Sequence, residues 1–335
     1  MAGAITCPNG VQGKPGGVVL LVHGTTLTGK ITYSESPFIT QLPSAGPGFD
    51  VCWIDLPNQS MSDAQVSGEY VAYNIIQLSK KSATGKVKVV GHSQGGGLNI
   101  PHALLFWPSA RNVVDDFVGL APDFQGIKLT LYAICAAEDA LSLGEGCAPS
   151  LIQQNADSNF IAAQNLLLTH ALVPTTVVYT ELFDEFLLGN DPLAAAILPV
   201  GPETSALNGS AQFPLQSQDV CGPSHAVEHI LLPFDQAAYA IAEQAFTSSG
   251  TADITKFDKS SCQQNNLGAP VAEIQNVVTV AFELVTADGT NSRSEPPLKQ
   301  CEKPKTYLRV DSLADQTTHL SHQDVCDAGA ATNCA

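Results

Sequence analysis

The chain has 335 residues, 44% of them hydrophobic, enough to bury a full core in a single α/β domain spanning 1–335. Fifteen Lys+Arg against 32 Asp+Glu leave a net charge of -17 with no basic patch, which excludes nucleic acid as a partner. Pro, Gly or charge interrupts every apolar run before the roughly 18 residues that cross a bilayer, so no transmembrane segment is expected and the chain reads as soluble.

Short runs of Val, Ile and Leu alternate with helical patterns, the signature of a mostly parallel central sheet with helices on both faces. In chain order, a strand is predicted over Val18–Val22, running into the turn His23-Gly24-Thr25-Thr26. A second strand, Asp50–Asp55, precedes a helix over Glu69–Lys80. Val87–Val90 then leads into Gly91-His92-Ser93-Gln94-Gly95-Gly96-Gly97 and a helix over Gln94–Phe106. Strand, sharp turn and helix around Gly-x-Ser-x-Gly form the context of a nucleophile elbow, in which glycines leave room for a strained backbone at Ser93.

Further strands are predicted over Asp116–Leu120, Thr175–Tyr179 and Ala211–Leu215, with helices over Asp235–Phe246 and Ala272–Val285. The last helix is apolar on more than one face, so it should be buried or cover a hydrophobic cleft. From 291 to 335 the chain turns into a polar extension.

A serine hydroxyl needs a histidine to accept its proton and a carboxylate to orient that histidine. In this strand-turn-helix context the acid follows the serine and the histidine comes last. The loop after Tyr179 offers Glu181, Asp184, Glu185 and Asp191; His225, His229, His319 and His322 lie downstream. Position alone does not choose among them. The tetrahedral intermediate needs N–H donors, for which Gln94 and the loop at Gly24-Thr25 are the natural sources. The His225/His229 and His319/His322 spacings form no HExxH, so no metal or other cofactor is expected. His23, His102 and His170 precede the acid loop and read as structural.

Nine cysteines from Cys7 to Cys334, with no CxxC pair, read as disulfides and hence as an oxidising, extracellular compartment. Met1-Ala2-Gly3-Ala4-Ile5 lacks the features of an export signal, which is therefore expected to have been removed. Asn58-Gln59-Ser60 and Asn208-Gly209-Ser210 are sequons that fit a secreted glycoprotein.

The chain resembles the fungal lipase B family over most of its length. The likeness is carried by Leu20-Leu21-Val22-His23-Gly24-Thr25, Cys52-Trp53-Ile54, Ser93-Gln94-Gly95-Gly96, Ala121-Pro122-Asp123-Phe124, Ile152-Gln153-Gln154, Val173-Pro174-Thr175-Thr176, Asp184-Glu185 and Val220-Cys221-Gly222-Pro223, with His229 eight residues after Cys221. The resemblance implies an α/β-hydrolase fold and a triad of Ser93, Asp184 and His229, with Thr25 and Gln94 in the oxyanion hole. It places Asp123 and Gln154 in the acyl pocket, and His92 where the family has an indole that floors the alcohol pocket. Tyr179–Asp184 carries one residue more than the family's version, which leaves Glu181 as an alternative acid.

The resemblance also implies the bridges Cys7–Cys52, Cys221–Cys262 and Cys301–Cys326. Cys135 and Cys147 are additional and are expected to pair within 131–150, a longer segment than the family has and a candidate lid. Cys334 is left over. The expected activity is hydrolysis of triacylglycerols and related lipid esters through an acyl-Ser93 intermediate. A monomer in transient contact with a lipid–water interface is expected. Small or polymeric esters are the alternative substrates, and a catalytically silent binding protein is the alternative of another class.

Overall fold

The computed structural model describes residues 1–127, 135, 146–184, 205–248, 250–263 and 292–298. The predicted helix Ala272–Val285, most of the segment 131–150, and His319, His322, Cys301, Cys326 and Cys334 lie outside the described residues.

Seven strands form one sheet among the described residues: Ile5–Thr6 (β1), Val18–Val22 (β2), Asp50–Ile54 (β3), Val87–His92 (β4), Val114–Leu120 (β5), Thr175–Tyr179 (β6) and Ala211–Pro214 (β7). Their order is β1-β3-β2-β4-β5-β6-β7. All neighbours are parallel except β1, which pairs antiparallel with β3 (Ile5 opposite Ile54, Thr6 opposite Trp53). The chain turns outward to β3 after β2 and returns across it to β4. The carboxyl ends of β2 and β4 therefore flank a topological switch point, where open α/β sheets place their sites.

The main helices are Ala64–Ser79 (α1), Ile100–Phe106 (α2), Pro149–Gln154 (α3), Asn159–Leu167 (α4) and Gln236–Thr247 (α5). Every residue of β2 is fully buried, because alternate side chains feed two separate apolar layers. Val18, Leu20 and Val22 join Val87, Val89 and the inner faces of α1 and α2. Val19 and Leu21 join Val51, Trp53, Val90 and the inner face of α5. Burying one such side chain stabilises by about 1.5–3 kcal/mol, so the two layers dominate the fold's energetics. No described helix is long and apolar enough to cross a membrane.

Side chains fix where helices start. Asp63 accepts from the Gln65 N–H at the head of α1, Ser158 from Ile161 in α4, and Asp235 from Ala238 in α5. Each cap contributes about 1 kcal/mol. The Asp63 cap explains why α1 begins five residues before the predicted Glu69, despite the weak helix formers Ser67 and Gly68. Gly68 is needed there: a Cβ would meet the His102 ring of α2 at 2.6 Å.

The single helix predicted over Gln94–Phe106 is instead a wide π-type turn, Gly95–Asn99, followed by α2. Pro101 has no N–H to offer the Gly97 carbonyl, and three successive glycines do not hold a regular helix. That carbonyl accepts from Gln164 Nε2 at 2.8 Å instead. β5 begins two residues before its predicted start at Asp116, and β1, α3 and α4 were not foreseen in the sequence.

Cys7–Cys52 and Cys221–Cys262 are bonded, as is Cys135–Cys147 across 12 residues.

Candidate active site

Ser93 follows directly on β4 with φ +54°, a left-handed conformation that costs a non-glycine residue about 1–3 kcal/mol. Its surroundings hold it there. The Ser93 N–H donates to the Leu120 carbonyl at the end of β5 (2.9 Å), and its own carbonyl accepts from Gly96 and Gly97. A Cβ on Gly95 would lie 2.5 Å from the Val22 and His23 carbonyls, and one on Gly91 would lie 2.5 Å from Gly96. The glycines are thus required by close backbone packing between β2, β4 and the turn.

Asp184 and His229, 45 residues apart, meet with His229 Nδ1 3.0 Å from Asp184 Oδ2, both side chains buried. The carboxylate seen on that nitrogen is Asp184's, five positions beyond β6, whereas Glu181 gives its backbone N–H to Gln216. A second pair, His225 Nε2 and Asp235 Oδ2, is also 3.0 Å apart. Burial pulls the His225 imidazole down, but the Asp235 carboxylate outweighs it and raises the pKa. Of the two pairs, it is His229 that stands against the elbow: its ring centroid is 5.1 Å from that of His92, the residue before Ser93.

Thr25 and Gln94 also come together. The Thr25 hydroxyl donates to Gln94 Oε1 (2.7 Å) and lies 3.1 Å from Gln154 Oε1. Gln154 Nε2 donates in turn to Gln94 Oε1 (3.2 Å) and to the Ser150 carbonyl in α3. The Gln94 N–H stands at the start of the turn, where no intrahelical acceptor exists. Gln94 Nε2 is 3.5 Å from Asn99 Oδ1, and Asn99 Nδ2 donates to Ser60 Oγ. Ser60 ends a left-handed run with Asn58 and Gln59, all three at positive φ. Asn99, Ser60 and the strut Gln216 are site residues that sequence reasoning missed; no motif marks an isolated amide or hydroxyl.

Asp123 is fully buried just past β5, and neither carboxyl oxygen has a hydrogen-bond partner among the described residues. Burial raises its pKa to about 7, and the charge of Asp184 adds to the effect. His23 is satisfied on both nitrogens: Nε2 accepts from the Leu56 N–H and Nδ1 donates to the Gly24 carbonyl. Burial lowers its pKa to about 4. His102 lies among Phe106, Trp107 and Phe160. His92 is 1% exposed, with Nε2 2.9 Å from the His229 carbonyl. Among the described residues no cluster of His, Cys, Asp or Glu could hold a metal ion.

A mostly parallel sheet layered by helices, with a serine on a strained turn at its switch point, defines a carboxylic ester hydrolase of the α/β-hydrolase fold. Comparison narrows the class. The chain is 30% identical to lipase B of Pseudozyma antarctica over 321 residues, 93% of this chain and 85% of that protein. The crystal structure of Aspergillus fumigatus lipase B superposes with a TM-score of 0.73 and 28% identity, covering 89% of this chain and 70% of that one. No family model matches the chain. The chain belongs to the lipase B family.

Proposed function

We propose that the protein hydrolyses triacylglycerols and related lipid esters by a two-step acyl transfer through Ser93. The observation that carries this reading is the buried His229–Asp184 pair at 3.0 Å, set against the residue that precedes a serine on a nucleophile elbow. Asp184 holds the His229 Nδ1 proton, so Nε2 is unprotonated and accepts the Ser93 proton as Oγ attacks the ester carbonyl. The carbonyl oxygen becomes an oxyanion, bound by the N–H groups of Gln94 and Thr25. The Thr25 hydroxyl joins them by turning its proton away from the amide oxygens it meets at rest. Collapse expels the alcohol, which takes the proton from His229 Nε2 and leaves acyl-Ser93. Water repeats the sequence, giving the carboxylic acid and free Ser93.

Asp123 and Gln154 line the acyl side. The disulfides support action outside the cell, where such bonds persist. The chain works as a single-domain monomer that touches the lipid–water interface, with the segment stapled by Cys135–Cys147 as its lid.

A fluorophosphonate should label one residue per chain, located at Ser93 by peptide mass, and Ser93→Ala should lose both label and turnover. Labelling of a different serine in the folded protein overturns the assignment. Rates across an acyl-length series, in emulsion and in solution, test the substrate: a preference for short dissolved esters makes it an esterase instead.

A further inference from the structure

His92 ends β4, and its ring is enclosed between the elbow and two other loops of the site. Nε2 lies 2.9 Å from the His229 carbonyl, and the two rings tilt at 49° with centroids 5.1 Å apart. A carbonyl only accepts, so Nε2 carries the ring's proton and Nδ1 is left as an acceptor. That Nδ1 is buried with no hydrogen-bond partner among the described residues. It faces Gly24, on which a Cβ would come within 3.5 Å of it. An orphaned buried nitrogen is a cost that a hydrocarbon side chain at this position would avoid. What is held in exchange is the main chain of His229, whose carbonyl also accepts a long 3.4 Å bond from the Leu232 N–H.

We infer that His92 is a positioning residue that fixes the backbone of His229 to the elbow, so that nucleophile and base keep their spacing through adjacent residues of one strand end. This rests on the reading of His229 as the base. Asp184 sets the orientation of the imidazole at Nδ1, and His92 sets where the residue carrying it stands. Neither bond replaces the other. Burial, with the neighbouring His229 charge next, lowers the His92 pKa to about 3, so the ring stays neutral and keeps donating while His229 gains and loses its proton.

The covalent reach of side chains supplies the test. In Gln the amide nitrogen stands three bonds beyond Cβ, as Nε2 does in His; in Asn it stands two bonds beyond and falls short. His92→Leu and His92→Asn should each lower kcat about 10–100-fold, the loss typical of an ångström-scale misplacement, with KM within about twofold. His92→Gln should bring kcat back to within about threefold of the parent. Rates are taken per folded molecule from the unfolding amplitude, and His229→Ala is run alongside. Equal kcat for Gln and Asn, or a change confined to KM and enantiomer ratio, overturns the inference and makes His92 a pocket wall. Turnover surviving in His229→Ala overturns the reading beneath it instead.

Discussion

At Thr25 a single hydroxyl has two employments. At rest it bonds Gln94 Oε1, and in the proposed reaction it is released to the developing negative charge. A group that binds only as charge develops affects kcat and not substrate affinity. Thr25→Val should therefore lower kcat about 10–10³-fold with KM little changed, measured by steady-state kinetics on a soluble ester. An effect on KM alone would mean contact with ground-state substrate. Asp184→Asn should cost roughly 10⁴-fold in kcat, as broken triads do, and Glu181→Gln far less; the reverse ranking would make Glu181 the acid. Ser93 was legible in the sequence because its glycines and preceding strand are local. Asp184 and His229 could be proposed only through resemblance, since the four acids and four histidines considered had equal standing by position. Asn99 could not be read at all, because its partners Ser60 and Gln94 gain meaning only once the turn and the left-handed run are folded.

Between elements, Gln216 does for two loops what caps do for helices. Its Oε1 accepts from the Thr180 hydroxyl (3.1 Å) and the Glu181 N–H (2.6 Å), and its Nε2 donates to the His225 carbonyl (2.7 Å). One buried amide thus ties the loop carrying Asp184 to the loop carrying His229. Gln216→Leu leaves the Thr180 hydroxyl, the Glu181 N–H and the His225 carbonyl without this partner. It should lower unfolding stability by about 1–3 kcal/mol in a denaturant titration, with a fall in kcat from the loosened loops; a variant as stable as the parent would show that water replaces the amide. The strands themselves are legible in runs such as Val18–Val22, because burial on both faces leaves a continuous apolar stretch, whereas their order in the sheet is not. The break at Gly95–Asn99 was missed although Pro101 signals it, since the apolar spacing continues through the proline. The starts of α1 and α4 depend on Asp63 and Ser158, whose capping role is visible only beside the helix they begin.

For the whole molecule, buried titratable groups set opposed limits on stability. His23 and His92 fold neutral, with pKa values of about 4 and 3, whereas in the unfolded chain each binds a proton near 6.5. The unfolded state then holds more protons as pH falls below 6.5, and stability declines towards pH 4. Asp116 and Asp123 do the opposite. Burial raises them to about 8 and 7 from 3.8, so the folded state holds more protons and stability is lost as pH rises through that range. Above 6.5 only the aspartates of this set act. Asp116→Asn removes one, so its Tm relative to the parent should grow more favourable from pH 5 to pH 8; a constant gap would show that Asp116 is ionised in the folded protein throughout.

The two residues of β1 also bear on how the protein can be made. This short antiparallel strand is what occupies the outer edge of β3, and Cys7–Cys52 ties it there. An uncovered β3 edge is a row of free N–H and C=O groups that pairs with the same edge of another chain. In a reducing cytosol the tie is absent while nascent chains are crowded and incompletely folded. Recombinant yield should then be divided between inclusion bodies and active enzyme according to the redox state of the host compartment, with export or an oxidising cytosol shifting the division towards enzyme.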